Sequence, residues 1–213
     1  MSTARDDILA KIRQANGTAA ASAADDFAVL PRNYRNAIAA TLAERTELFV
    51  DRLVDYDAKV YRCREHDIAA TVANALTMNG KKRVLVPKAL SKDWLPHGFE
   101  FIVGDELSYA ELNQSEGVLT GCSLGIAMTG TILLRHPREE GPRALTLIPD
   151  YHLCIVFART LVDTVPEGIR KIRKAGAPAI TTVSGPSATA DIEMTRVKGV
   201  HGPRFLDVIL VQD

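Results

Sequence analysis

The residues best suited to chemistry gather toward the carboxyl end of the chain. In TTVSGPSATADIE, residues 181–193, an apolar strand runs into Ser184-Gly185-Pro186-Ser187 and a helical pattern follows. Gly185 permits a tight turn, Pro186 stiffens it, and Ser187 or Thr189 can cap the helix. The hydroxyls of Ser184, Ser187 and Thr189 beside exposed amides suit a carboxylate or a phosphate. Without a ligand, the same residues read as a capped strand-to-helix turn. A second segment, MTGTILL at 128–134, sets Thr129, Gly130 and Thr131 at a strand junction. Its hydroxyls and amides can meet an anion, or the segment is simply a bulge or hairpin. In the third, VKGVHGP at 197–203, two glycines and a proline surround His201. A histidine there can serve as general acid or base, or only shape the turn. Asp191 and Glu193 stand two residues apart. On a strand they point the same way and on a helix they diverge, so a paired-carboxylate mechanism depends on local structure.

Metal chemistry finds little support. His66 falls on a helix, His97 beside a proline, His136 in a charged loop and His152 at a strand start; no HxH or HExxH spacing occurs. Cys63, Cys122 and Cys154 form no CxxC pair, which excludes a zinc ribbon or ferredoxin-type cluster and predicts no cofactor bound by this chain. Cys122 and Cys154 lie in apolar runs and read as small core residues. The odd cysteine count and a length that needs no staples predict a reducing cytoplasm. The opening MSTARDDILAKIRQA has acids where an export signal needs an apolar run. Lys plus Arg equals Asp plus Glu at 26 each, so the chain offers no field for nucleic acid or anionic lipid. The Rossmann GxGxxG and the Walker A loop are both absent.

The elements that must position these residues follow from periodicity. Residues 3–15 form an amphipathic helix capped by Ser2 or Thr3, with Ile8 and Ile12 on one face. Residues 16–30 form an Ala/Ser/Thr/Gly linker, so 1–30 is an arm that is either a tail or a contact with a second copy, and 31–213 is the folded domain. A long helix is expected at 33–54. Strands at 58–62, 83–87, 99–103, 152–158, 178–184 and 205–211 alternate with helices at 65–79, near 91–95, after Ser108, and from Thr164 to Lys174. The uncharged run 117–134, GVLTGCSLGIAMTGTILL, nears the length of a membrane span. Its glycines and threonines instead predict two or three buried strands with tight turns. Residues 135–150 read as an exposed loop or hairpin. Alternating strands and helices predict an α/β fold: a mostly parallel sheet with helices on both faces, binding ligands beyond the carboxyl ends of its strands.

At the same motifs the chain resembles the lactate-utilisation protein C family (LutC/YkgG), the LUD domain. GPS-x-TADIE matches residues 185–193, G-V-HGP matches 199–203, and GIAMTGTILL resembles the family's TGT strand pair. IPDYHLCIVFARTLVDTVPEG and the opening DDILAKIRQA are also similar. The resemblance implies a fold like the NagB/RpiA/CoA-transferase group. It implies an accessory role in oxidising L-lactate to pyruvate, with Fe–S clusters carried by partner proteins. The fold group also suggests an alternative: a free-standing CoA-transferase-like, phosphosugar or folate-type enzyme. At two positions the chain departs from the family: Met128 stands where an acid often precedes TGT, and Ala188 where a basic residue often separates GPS from TADIE.

Overall fold

The computed structural model describes residues 3–16, 29–31, 38, 40–136, 140–174, 179–190, 196–198 and 202–212. The chain divides into two units, Met1–Arg35 and Asn36–Asp213. In the first, helix α1 (Ala4–Asn16) forms where expected, capped at Thr3 by a reciprocal pair of hydrogen bonds with Asp6. Ile8 and Ile12 are about half exposed, and α1 buries no residue. Most of the expected linker, and the first part of the expected helix at 33–54, lie outside the described residues.

That second helix, α2 (Leu42–Asp55), starts later than its apolar stripe suggests. Thr41 is extended, accepts from the Glu44 amide, and its own amide donates to the Glu44 carboxylate. This capping box fixes the start, and Leu42 is left exposed instead of joining the buried stripe. Phe49 and Leu53 carry the buried face.

The central sheet has six strands, all parallel: β1 (Lys59–Cys63), β2 (Arg83–Val86), β3 (Glu100–Val103), β4 (Val118–Thr120), β7 (Tyr151–Phe157) and β11 (Phe205–Val211). Their spatial order is β1-β11-β7-β4-β2-β3. The two central strands, β7 and β11, alternate between two cores. Cys154, Val156, Leu206, Val208 and Leu210 pack with Phe49 and Leu53 of α2. Leu153, Ile155, Ile209 and Val211 pack on the opposite face with Val72, Ala75 and Leu76 of helix α3 (Ile68–Met78). Helices therefore cover both faces, and both central strands read as apolar runs.

On the α2 side lies a second, antiparallel sheet of β5 (Leu124–Ile126), β6 (Thr131–Leu134) and β8 (Thr181–Val183). Ile132 and Leu134 face the first core, whereas Leu133 faces a third core with Ile172 of helix α6 (Val165–Lys174). Strand β6 is thus buried on both faces, which explains the uncharged run without a membrane span. Among the described residues no helix is long and apolar enough to cross a membrane. The segment 135–150 differs from the expected exposed loop. It contains helix α5 (Arg143–Leu147), preceded in the chain by α4 (Tyr109–Asn113), and buries Glu140, Leu145 and Thr146. Its charged residues mask two apolar anchors, Leu145 and Ile148, that pack with Leu85 and Leu112.

One buried polar cluster stands on the α3 face. The Asp207 carboxylate accepts from Asn79 Nδ2 at 2.8 Å, Tyr151 OH at 3.0 Å and Tyr61 OH at 3.3 Å. Burial pushes its pKa up, and those hydrogen bonds offset only part of the shift. A raised folded-state pKa favours the protonated form, so stability from this group is present at low pH and lost as pH rises through that value. The melting temperature of Asp207→Asn should therefore climb relative to wild type as pH increases from about 3.8, the ordinary aspartate value. Parallel melting curves against pH for the two proteins would refute this.

Candidate functional site

A cavity of about 290 Å³ opens on the α2 side of the central sheet. Its floor is His152 of β7 and Leu206 of β11, paired in register. One wall is the run Thr181–Ala188, another is α5 with Arg143 and Thr146, and Gly202-Pro203 closes a third side. Since His152 and Leu206 are second in their strands, the cavity lies at the amino ends of β7 and β11. The carboxyl-end location expected from parallel sheets is not where these loops meet. The reason is the antiparallel β8, which delivers Ser184 and its neighbours to the opposite edge.

Ser187 and Pro203 are tied by a backbone hydrogen bond, Ser187 N to Pro203 O at 2.8 Å. The GPS turn and Gly202-Pro203 therefore meet. The TGT turn joins them through hydroxyls: Thr129 Oγ1 lies 2.6 Å from Thr131 Oγ1, which lies 2.8 Å from Ser184 Oγ. Thr129, Gly130 and Thr131 stand behind Ser184 and do not line the cavity; Ser184, Gly185 and Ser187 do. Gly185 has φ +87°, and a Cβ there would meet Tyr56 at 2.5 Å, so the turn needs glycine.

The helix expected after Ser187 does not form. Residues Ala188–Ala190 are strand β9, antiparallel to β10 (Arg196–Lys198), with Thr189 opposite Val197. The alternating Ala-Thr-Ala has a strand partner, and the Ser187 amide is spent on Pro203, so no helix N-terminus faces the cavity here. Residues 188–190 are extended, so they supply no helix amides to an anion at this turn. Asp191, Glu193 and His201 lie outside the described residues.

Several contributors went unrecognised in the sequence. Arg143 is exposed at the rim and, among the described residues, has no ion-pair partner. Nothing in its Pro-rich, charged surroundings distinguished it. Thr181 and Thr182 precede the GPS turn. His136 Nδ1 faces the Gly141 carbonyl, so that nitrogen carries the proton, and Nε2 stands 2.9 Å from Thr181 Oγ1 as its acceptor when the ring is neutral. His152 is buried, with Nε2 2.8 Å from Thr120 Oγ1. A lone histidine inside YHLCIVF, at a core-facing position, was the signal for it. Among the described residues the cavity thus offers the Arg143 guanidinium, several hydroxyls and the His152 imidazole, a set matched to a small anion and to proton transfer. Among the described residues no cluster of His, Cys, Asp and Glu could hold a metal ion.

This parallel α/β architecture with its anion-suited cavity has relatives. The chain belongs to the LUD domain family, which it matches over residues 46–211. It is 44% identical over 174 residues to lactate utilization protein C of Deinococcus radiodurans, covering 79% of this chain and 80% of that one. It is 31% identical over 134 residues to lactate utilization protein C of Bacillus subtilis, covering 58% of this chain and 55% of the relative. A crystal structure of a DUF162 family protein from Deinococcus radiodurans is similar at TM-score 0.70 and 38% identity, covering 81% of this chain and 99% of that one.

Proposed function

We propose that this chain serves lactate utilisation as an accessory component of L-lactate oxidation to pyruvate. It binds a small anion in the cavity and leaves electron transfer to Fe–S partner proteins. The observation that carries the reading is the 44% identity to a lactate utilization protein C over four-fifths of both chains. The cavity supports it: about 290 Å³ lies at the small end of ligand pockets, which favours a small acid over a CoA ester. In this reading Arg143 and the hydroxyls of Ser184, Ser187 and Thr189 hold the carboxylate. Asp191 or Glu193 orients the loop or acts on the substrate hydroxyl, and His201 or His152 carries the proton. The protein works in the cytoplasm, and the amphipathic arm contacts a second copy or a partner.

A thermal-shift screen of hydroxy acids, CoA esters and phosphosugars tests the ligand class, since a ligand far above its Kd stabilises by a few kcal/mol. Hydroxy acids should give the hits; hits confined to CoA or phosphate compounds would replace this reading with a free-standing transferase or sugar-phosphate enzyme. Each charge-assisted hydrogen bond is worth about 1.5–3 kcal/mol, or roughly 10- to 150-fold in affinity. Arg143→Ala and Ser187→Ala should each weaken binding by that range while the free protein melts nearly as before. Affinity unchanged in both would remove the site. Gene deletion should abolish growth on lactate. Removing residues 1–30 should lower the mass measured in solution; the same monomer before and after truncation would reduce the arm to a tail.

A further inference from the structure

Behind the cavity floor, two cysteines meet. Cys154 is fully buried on β7, beside Thr120 in the neighbouring β4 register. Its Sγ lies 3.6 Å from the Gly121 carbonyl oxygen, to which it donates, and 3.9 Å from Thr120 Oγ1. The Gly121 carbonyl belongs to the planar peptide that ends on the Cys122 Cα. The sulfur of Cys154 is therefore already at the backbone of Cys122. Cys122 packs against the same core cluster, to which Cys154 belongs. A disulfide forms where sulfurs on adjoining segments can approach, and the Cys154 sulfur already reaches the peptide that leads into Cys122. Cys122 is only half-buried, so small oxidants reach it.

The surroundings favour reaction. The Cys122 side chain draws the Cys154 thiol below its ordinary range; burial opposes this, and His152 and Thr120 add to it. Thiolate character is what attacks an oxidised sulfur. Cys63, by contrast, has its thiol pushed up by burial and sits at the far end of β1.

We propose that Cys122 and Cys154 are an oxidation site, closing to a disulfide when the protein meets a peroxide. The Cys122 sulfur attacks one peroxide oxygen, the O–O bond breaks, and Cys122 becomes a sulfenic acid as the first water (or alcohol) leaves. The Cys154 sulfur then attacks the sulfenic sulfur; the S–O bond breaks, and the departing hydroxide takes the Cys154 proton as a second water. Two thiols are oxidised, one peroxide is reduced, and a thiol reductant reverses the change. The disulfide changes the sulfur that Thr120 Oγ1 touches, and Thr120 also holds His152, so the site reports oxidation to the cavity floor.

The test treats the full chain with hydrogen peroxide and counts thiols after denaturation. The count should fall from three to one, with Cys63 still reduced, and peptides holding Cys122 and Cys154 should be joined until a reductant is added. Cys122→Ser and Cys154→Ser should each abolish the link, with circular dichroism confirming that both fold; the wild-type peptide map stands without them. Three thiols retained in excess peroxide, a link through Cys63, or Cys122 driven to sulfinic acid while Cys154 stays reduced would each overturn the proposal.

Discussion

Gly130→Ala should lower stability by about 2–5 kcal/mol, the sum of backbone strain and overpacking. Gly130 has φ +59°, a left-handed conformation that costs an L-residue about 1–2 kcal/mol. An added Cβ would also stand 2.8 Å from Arg52 Cβ and 3.0 and 3.1 Å from the α2 backbone. That backbone cannot retreat, because Phe49 and Leu53 on either side of the contact are fully buried. At roughly 2–4 °C per kcal/mol for a domain of this size, the melting temperature should drop by about 4–20 °C. Gly80 is the control: φ is +64° and nothing lies within 4 Å of its would-be Cβ, so Gly80→Ala should show the strain alone. If the two variants melt together, the packing argument fails. Gly130 also spaces Thr129 from Thr131, whose hydroxyl chain reaches Ser184, so the variant should loosen the cavity wall as well.

What the sequence made legible, and what it did not, follows the range of the interactions involved. The strands of the parallel sheet were readable because β7 and β11 are buried on both faces and keep continuous apolar runs. The helix starts at Ser108 and Thr164 were readable because they close within one turn: Ser108 and Glu111 form a capping box, and the Thr164 hydroxyl accepts from the Glu167 amide. Thr41 and Glu44 form an equally local box, but the apolar stripe through Leu42 drew the expected helix past it. The helix expected after Ser187 failed for a different reason. Its alternative partner, β10, lies several residues on, and the Ser187 amide is claimed by Pro203, which local pattern cannot reveal. The GPS turn, the TGT turn and Gly202-Pro203 meet at the amino ends of the strands, not at the carboxyl ends where the parallel sheet predicts ligand binding. Only the antiparallel pairing of β8 with β6 decides that end. Arg143 joins the cavity through tertiary packing, so its residue type carried no positional information, whereas His152 was marked only by its lone place in the apolar run YHLCIVF.

The second large effect concerns the ion pair that anchors α2. Arg45 grips Asp163 with two bonds, Nε–Oδ1 at 2.6 Å and a terminal nitrogen to Oδ2 at 3.1 Å. The Asp163 side chain is 5% exposed and that of Arg45 is 23%. Breaking a buried pair by removing one partner costs about 3–5 kcal/mol, chiefly because a charge is stranded. Arg45 keeps some solvent and two carbonyl acceptors, Leu161 and Ala40, so Asp163→Ala should fall at the low end, about 3 kcal/mol. That corresponds to a fall of roughly 6–12 °C in melting temperature. The Asp163 backbone explains why the site should feel the change. Its carbonyl accepts from the Met128 amide at 3.1 Å, and the Val162 carbonyl accepts from Ala127 at 2.8 Å. The clamp thus ties the start of α2 to the strand edge that holds the TGT turn. Replacing both partners with apolar residues, as in Arg45→Met with Asp163→Leu, removes the stranded charge and should recover much of the loss. A double variant no more stable than Asp163→Ala would show that packing around Asp163, and not the unpaired Arg45 guanidinium, sets the cost.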